Sequence, residues 1–225
     1  MAQFTPIDPA SDVVSTTTKV TTGYFSGGRG ELAGSNFATK SLAGTQDKFY
    51  YNVQYNSEDQ FSLAFGNQVG SGSDFTTNVK GETESVYKAY SSMLLPNEDV
   101  QTGFVMVDGT NSTNEVTQSS IYVVAAERLR MKDRVNRKNW TFTLSGSDSA
   151  GSTSGSTLKL TDDSNALAAV PTPMGPRYNI VSGSSGTVHT PAATKTYGHF
   201  YPNVGVFIMS ANALSMSLVG NHEYL

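Results

Sequence analysis

Six of the fifteen Lys and Arg residues fall between positions 128 and 138, inside the run Glu127-Arg128-Leu129-Arg130-Met131-Lys132-Asp133-Arg134-Val135-Asn136-Arg137-Lys138-Asn139-Trp140. Were this run a strand, Arg128, Arg130, Lys132 and Arg134 would project from one face, with Leu129 and Met131 on the other. Such a comb of cations could hold phosphates. It could equally meet acidic groups on a partner subunit, where Arg is enriched among the residues that dominate binding. Glu127 and Asp133 interrupt the charge, and Trp140 follows the patch instead of interleaving with it. Both features favour a protein contact over nucleic acid. The interaction candidates are Arg128, Arg130, Lys132, Arg134, Arg137, Lys138 and Trp140.

The remaining reactive side chains do not assemble into a catalytic set. His189, His199 and His222 are far apart in sequence, and none has a metal-ligand partner at i+2 to i+4. His199 sits in Tyr197-Gly198-His199-Phe200-Tyr201-Pro202, a neighbourhood that predicts a packed histidine. Asp162-Asp163 ends a strand-like run. Neighbouring strand residues point to opposite faces, so this pair predicts a turn cap, not an acid–base couple or a calcium site. Gly27-Gly28-Arg29-Gly30 lacks the Lys-Ser or Lys-Thr of a phosphate loop, and Ser182-Gly183-Ser184 lacks the flanks of a nucleophile elbow. No catalytic residue, metal ligand or cofactor is assigned, and the expectation is a protein that is not an enzyme.

These residues need elements to position them, and composition limits what those can be. The chain has 225 residues, no cysteine, 15% charged residues and a net charge of −4. Its 28 Ser, 25 Thr and 21 Gly make up about a third of it, so it is polar without being charged. Without cysteine, disulfides and thiolate chemistry drop out. No apolar run reaches the roughly 18 residues of a membrane span, and Met1-Ala2-Gln3-Phe4-Thr5-Pro6 does not read as a secretory signal.

Residues 1–45, rich in Ser, Thr and Gly, predict an extended arm ordered against a neighbour, and residues 46–225 a single domain. Period-two alternation in 49–55 and 60–65, across the polar turn 56–59, predicts a hairpin. Apolar spacing in 86–94 predicts one helix, capped by Thr83 or Ser85 and stopped by Pro96. Further strands are expected at 103–107, 120–130, 139–144, 157–160, 177–182 and 204–209, with a surface loop at 145–156. The fold class is therefore mainly β (α+β), an antiparallel or mixed sheet or sandwich with one prominent helix. Eleven Tyr and eleven Phe, many inside strands, predict aromatic core and interface surfaces.

Within this frame an ordered series of blocks resembles a known family. The blocks are Tyr50-Tyr51-Asn52-Val53, Phe61-Ser62-Leu63-Ala64-Phe65-Gly66, Val86-Tyr87-Lys88-Ala89-Tyr90 and Ile121-Tyr122-Val123-Val124. They continue through Arg128 to Arg134, Asn139-Trp140-Thr141-Phe142-Thr143-Leu144, Tyr178-Asn179-Ile180-Val181 and Tyr197-Gly198-His199-Phe200-Tyr201. The series, spanning roughly 49–214, is similar to virion structural proteins of contractile-tailed bacteriophages, especially those of marine cyanobacteria. Arg137-Lys138 departs from the Pro-Gly often found in that family before Asn-Trp. The resemblance implies a multi-copy tail or baseplate component, assembled in the host cytoplasm into the virion. Its partners would be copies of itself and other virion proteins. The other classes weighed are nucleic-acid binding through 128–138 and a carbohydrate-binding receptor module of the tail.

Overall fold

The computed structural model describes residues 37–40, 50–55, 58–71, 81–107, 115–131, 133–145, 157–215 and 217. Thirteen strands and two helices make up the described regular elements, with a single 3-10 turn at Arg128–Arg130. The strands are β1 (Phe37–Lys40), β2 (Tyr50–Tyr55), β3 (Glu58–Asn67), β4 (Val105–Val107), β5 (Glu115–Thr117), β6 (Ser120–Ala126) and β7 (Phe142–Ser145). They continue as β8 (Thr157–Asp162), β9 (Val170–Thr172), β10 (Gly175–Ser184), β11 (Thr187–Val188), β12 (Gly198–Tyr201) and β13 (Val206–Ser210). The helices are α1 (Glu82–Leu94) and the short α2 (Ala211–Ser215).

Eleven strands form one antiparallel sheet in the order β1-β2-β3-β6-β13-β12-β10-β8-β7, with β9 and β11 also pairing to β10. β4 and β5 form a separate ribbon. The mainly-β class with one principal helix is therefore the observed one. Of the 1–45 segment, only Phe37–Lys40 is described, and it is the edge strand paired with β2. The remainder of that arm, and the 146–156 part of the expected loop, lie outside the described residues.

Strand alternation sorts the aromatics and aliphatics onto two faces. Ala64, Ile121, Val123, Tyr201, Val206 and Ile208 face α1, whose Tyr87 and Leu94 pack on them together with Leu95, Phe104 and Met106. The helix comes close because β3 has Gly66 there, where a Cβ would meet the Tyr87 backbone nitrogen at 3.0 Å. On the opposite face Val124, Tyr178, Ile180, Phe200, Phe207 and Met209 form a second core.

Three local expectations need correction. The helix starts at Glu82 after Gly81, with no side-chain cap, so neither Thr83 nor Ser85 caps it. Thr83 instead donates its hydroxyl to the Ser71 carbonyl at 2.9 Å. Glu82 and Glu84 in the first turn complement the positive end of the helix dipole. The hairpin turn is shorter than 56–59, because β3 resumes pairing at Glu58, and Gln54 pairs with Asp59 across a bulge. The expected strand 120–130 ends at Ala126 and gives way to the 3-10 turn.

Candidate interaction surface

The basic segment is the connection from β6, inside the sheet, to β7 at its far edge. Between them in sheet order stand β13, β12, β10 and β8. Crossing five strand spacings of about 4.8 Å needs roughly 24 Å, and fifteen extended residues could reach about twice that. The connection is thus long enough to turn and dip, and it does not remain a strand. The comb with Arg128, Arg130, Lys132 and Arg134 on one face is not formed. Leu129 is 62% exposed and Met131 is buried, so those two do not share a face either. Lys132 lies outside the described residues.

The strap is stitched to the sheet along its length. Arg130 Nε donates to the Asp59 carbonyl at 3.1 Å. Met131 tucks under Gly205, where any Cβ would run into its sulfur. The Val135 amide donates to the Pro202 carbonyl at 3.0 Å. Arg137 donates to the Tyr178 hydroxyl and lies over its ring, 5.3 Å from the centroid. Lys138 takes a left-handed backbone, φ 65°, and its amide donates to Asp162 Oδ1 at 2.8 Å. The Trp140 carbonyl accepts from Thr161 Oγ1 at 3.0 Å, and the Trp140 ring packs with Phe142, Phe200 and Phe207.

Of the seven interaction candidates, Arg130, Arg137 and Trp140 are thus engaged inside the fold. Arg128, Arg134 and Lys138 are exposed, with no ion pair to them among the described residues. Leu129 stands between Arg128 and Arg130 on the exposed 3-10 turn. The outward surface therefore combines one aliphatic side chain with two guanidinium groups and an ammonium, held on a backbone fixed at both ends.

Asp162 and Asp163 are both buried and act separately. Asp162 Oδ1 holds the Lys138 amide, while its second oxygen accepts from Ser164. Asp163 accepts from the Asn179 amide and from Asn179 Nδ2, at 3.0 and 2.8 Å. Burial raises the Asp163 pKa, the Asn179 hydrogen bonds oppose this, and the neighbouring Asp162 charge adds to it. Asp162 thus holds the strap at Lys138, and Asp163 ties the end of β8 to Asn179 within β10, so the pair works across strands and not as the cap of one turn.

His199 is buried on the α1 face of the sheet, and its Nδ1 has no hydrogen-bond partner among the described residues. Burial holds its pKa well below the usual imidazole value, and the Arg177 charge lowers it further. Tyr201, two positions further along the strand and on the same face, has its hydroxyl pKa raised by burial, with Arg177 opposing. Arg177 was not singled out from the sequence, where a lone Arg between Pro176 and Tyr178 carries no signal. Only the β10–β12 register brings it to these two side chains.

No group of three or more His, Cys, Asp or Glu residues that could hold a metal occurs among the described residues. No described helix is long and apolar enough to cross a membrane. Comparison with protein-family models, curated proteins and solved structures gives no match.

Proposed function

We propose that this chain is a non-enzymatic structural component of a contractile-tailed bacteriophage virion, a multi-copy part of the tail or baseplate that acts through subunit contacts. The virion placement rests on the ordered series of blocks across 49–214, and the outer surface of the strap supports the subunit contact. Arg128, Leu129 and Arg134 are exposed on a backbone locked to the sheet, and Arg is enriched among the residues that dominate protein–protein binding. The same geometry weakens the nucleic-acid reading. With Arg130 and Arg137 turned into the fold, fewer cations remain to track a phosphate backbone, and Asp133 lies exposed among them.

Quantitative mass spectrometry of purified phage particles, with antibody labelling of the 128–138 surface, tests the reading. The expected result is several copies per particle located at the tail or baseplate. Absence of the chain from particles would overturn it. Salt-sensitive retention on DNA or RNA, lost on reversing charge at Arg128 and Arg134, would replace it with nucleic-acid binding.

A further inference from the structure

β3 and β6 are neighbours in the sheet, paired from Phe61↔Ala126 to Asn67↔Ser120, yet α1, β4 and β5 lie between them in sequence. The chain therefore leaves the sheet after Asn67 and returns to the adjacent strand at Ser120. The Gln68 amide closes this neck by donating to the Ser119 carbonyl at 2.8 Å. Helix and ribbon thus form a lid over one face, and no rung of the β3–β6 ladder has to break for the lid to lift.

The lid holds together as a unit. The Tyr87 hydroxyl ties α1 to Phe104 and Gln118, and the Gln118 amide donates to the Phe104 carbonyl at 2.7 Å. Its grip on the sheet is apolar packing against residues such as Ile121, Val123, Tyr201 and Ile208. At the ribbon the Val107 carbonyl also accepts from the Thr196 amide at 2.9 Å.

His199 lies on the covered face. It shares one side of β12 with Tyr201 and stands directly across from Ile208 of β13, both of them residues of that core. The imidazole is 2% exposed, and its Nδ1 has no partner among the described residues. β10 brings Asn179 directly across from it and Arg177 on the same side. Burial and the Arg177 charge both disfavour a proton on the ring.

The other ionisable groups offer the imidazole no counter-charge. Asp163 is bonded to Asn179, and Glu84 of α1 pairs with Lys88 at 2.6 Å. Glu98 and Asp99 after α1, and Glu115 on the ribbon, are exposed. Tyr87 and Tyr201 are phenols that burial keeps neutral, and β13 has no ionisable side chain. The apolar cluster on the opposite face contains no histidine, and the other described histidine, His189, is exposed.

We propose that protonation of His199 lifts the lid formed by α1 and the β4–β5 ribbon off the sheet, hinged at Gln68 and Ser119, while the opposite core stays packed. An imidazolium beside Arg177 is stable only once water reaches it, and lifting the lid admits water without dismantling the sheet. The open state takes up its proton near the ordinary imidazole value of about 6.5, and the closed state only at lower pH. Acid therefore favours opening. Asp163 has the wrong sign to drive it, because its raised native pKa makes protonation favour the closed form. The device goes beyond the virion reading and does not depend on it.

The test uses two cysteine variants of the full chain, which otherwise has no cysteine. Val123 and Val124 are adjacent on β6, both buried, with Val123 under the lid and Val124 in the opposite core. Val123→Cys and Val124→Cys are labelled with 4,4′-dithiodipyridine, which reacts with thiols at acid pH. Each rate is divided by that of the urea-unfolded variant at the same pH. From pH 7 to pH 5 the Val123→Cys ratio should rise by about 20-fold, and the Val124→Cys ratio should stay level. Adding His199→Gln should remove the rise, and Glu84→Gln should leave it in place.

Should a variant not fold by circular dichroism, hydrogen exchange of the parent, corrected for the intrinsic pH dependence, gives a second route. Peptides of α1 should lose protection below about pH 6.5 while those of β10, β12 and β13 keep theirs. Equal gains at both cysteines, no gain at Val123→Cys, or uniform loss of protection would each overturn the proposal. So would a rise that survives His199→Gln, or one that Glu84→Gln abolishes, which would move the trigger to the Glu84–Lys88 pair. None of these outcomes touches copy number in particles, so failure here and failure of the virion reading are separate results.

Discussion

The Trp140 ring meets the Phe207 ring edge to face, with centroids 4.9 Å apart and planes at 81°. Phe207 in turn stacks on Phe200 at 4.6 Å and meets Phe142 at 5.0 Å. A residue that sequence alone groups with an interaction surface is thus the pin that fixes the end of the strap to the second core. Trp140→Ala should destabilise the fold by about 3 kcal/mol, at the low end for a large aromatic because the ring is only half-buried. Urea unfolding followed by circular dichroism measures this. In the parent, the single tryptophan makes intrinsic fluorescence a direct reporter of strap release.

Arg130 and Arg134 should separate folding from assembly. Arg130→Glu removes the Nε hydrogen bond to the Asp59 carbonyl and should lower unfolding stability by about 1–2 kcal/mol. Arg134→Glu, on the exposed side, should change stability by no more than about 0.5 kcal/mol. The reverse order should hold for subunit association. Denaturant midpoints and light scattering on both variants check the ranking.

Tyr87 links α1 to the connections around the β4–β5 ribbon. Its hydroxyl donates to the Gln118 carbonyl at 2.8 Å and accepts from the Phe104 amide at 3.2 Å. Tyr87→Phe strands both backbone groups and should cost about 1–3 kcal/mol. Gly103→Ala should be worse, because the position has φ 86° and a Cβ there would collide with the same hydroxyl. Thermal melts of the two variants provide the comparison.

His199 should make the protein acid-sensitive. Its native pKa is held below that of the unfolded chain, so between those values the unfolded state binds the extra proton. Stability should therefore be maximal above about pH 6.5 and fall on acidification, at a slope approaching 1.4 kcal/mol per pH unit. Asp163 acts with the opposite sign and in a lower window. Its raised native pKa favours the fold when protonated, a contribution that is full below the unfolded value near 4 and is lost as pH rises from there through the raised native value. Unfolding midpoints at pH 7, 6 and 5 for the parent and His199→Phe test this. The variant should show the flatter profile.

Local periodicity made much of the fold legible. Alternation located the β2–β3 hairpin, helical spacing placed α1 before Pro96, and aromatic content anticipated strands whose cores are built from Phe, Tyr and Trp. The strap was legible only as charge. A run of alternating cations has the period of a strand, but period says nothing about the route. Here the chain must leave β6 and reach β7 past four other strands, and that topology converts the run into a braced crossover.

Composition, absence of cysteine, strand-rich class and the position of the helix follow from the sequence by itself, because they depend on propensity and spacing within short windows. The tertiary structure alone decided which cations turn inward, that Trp140 packs on the second core, and that Arg177 meets His199 and Tyr201. Each depends on strand order and register, which bring together residues tens of positions apart. No local pattern encodes those distances.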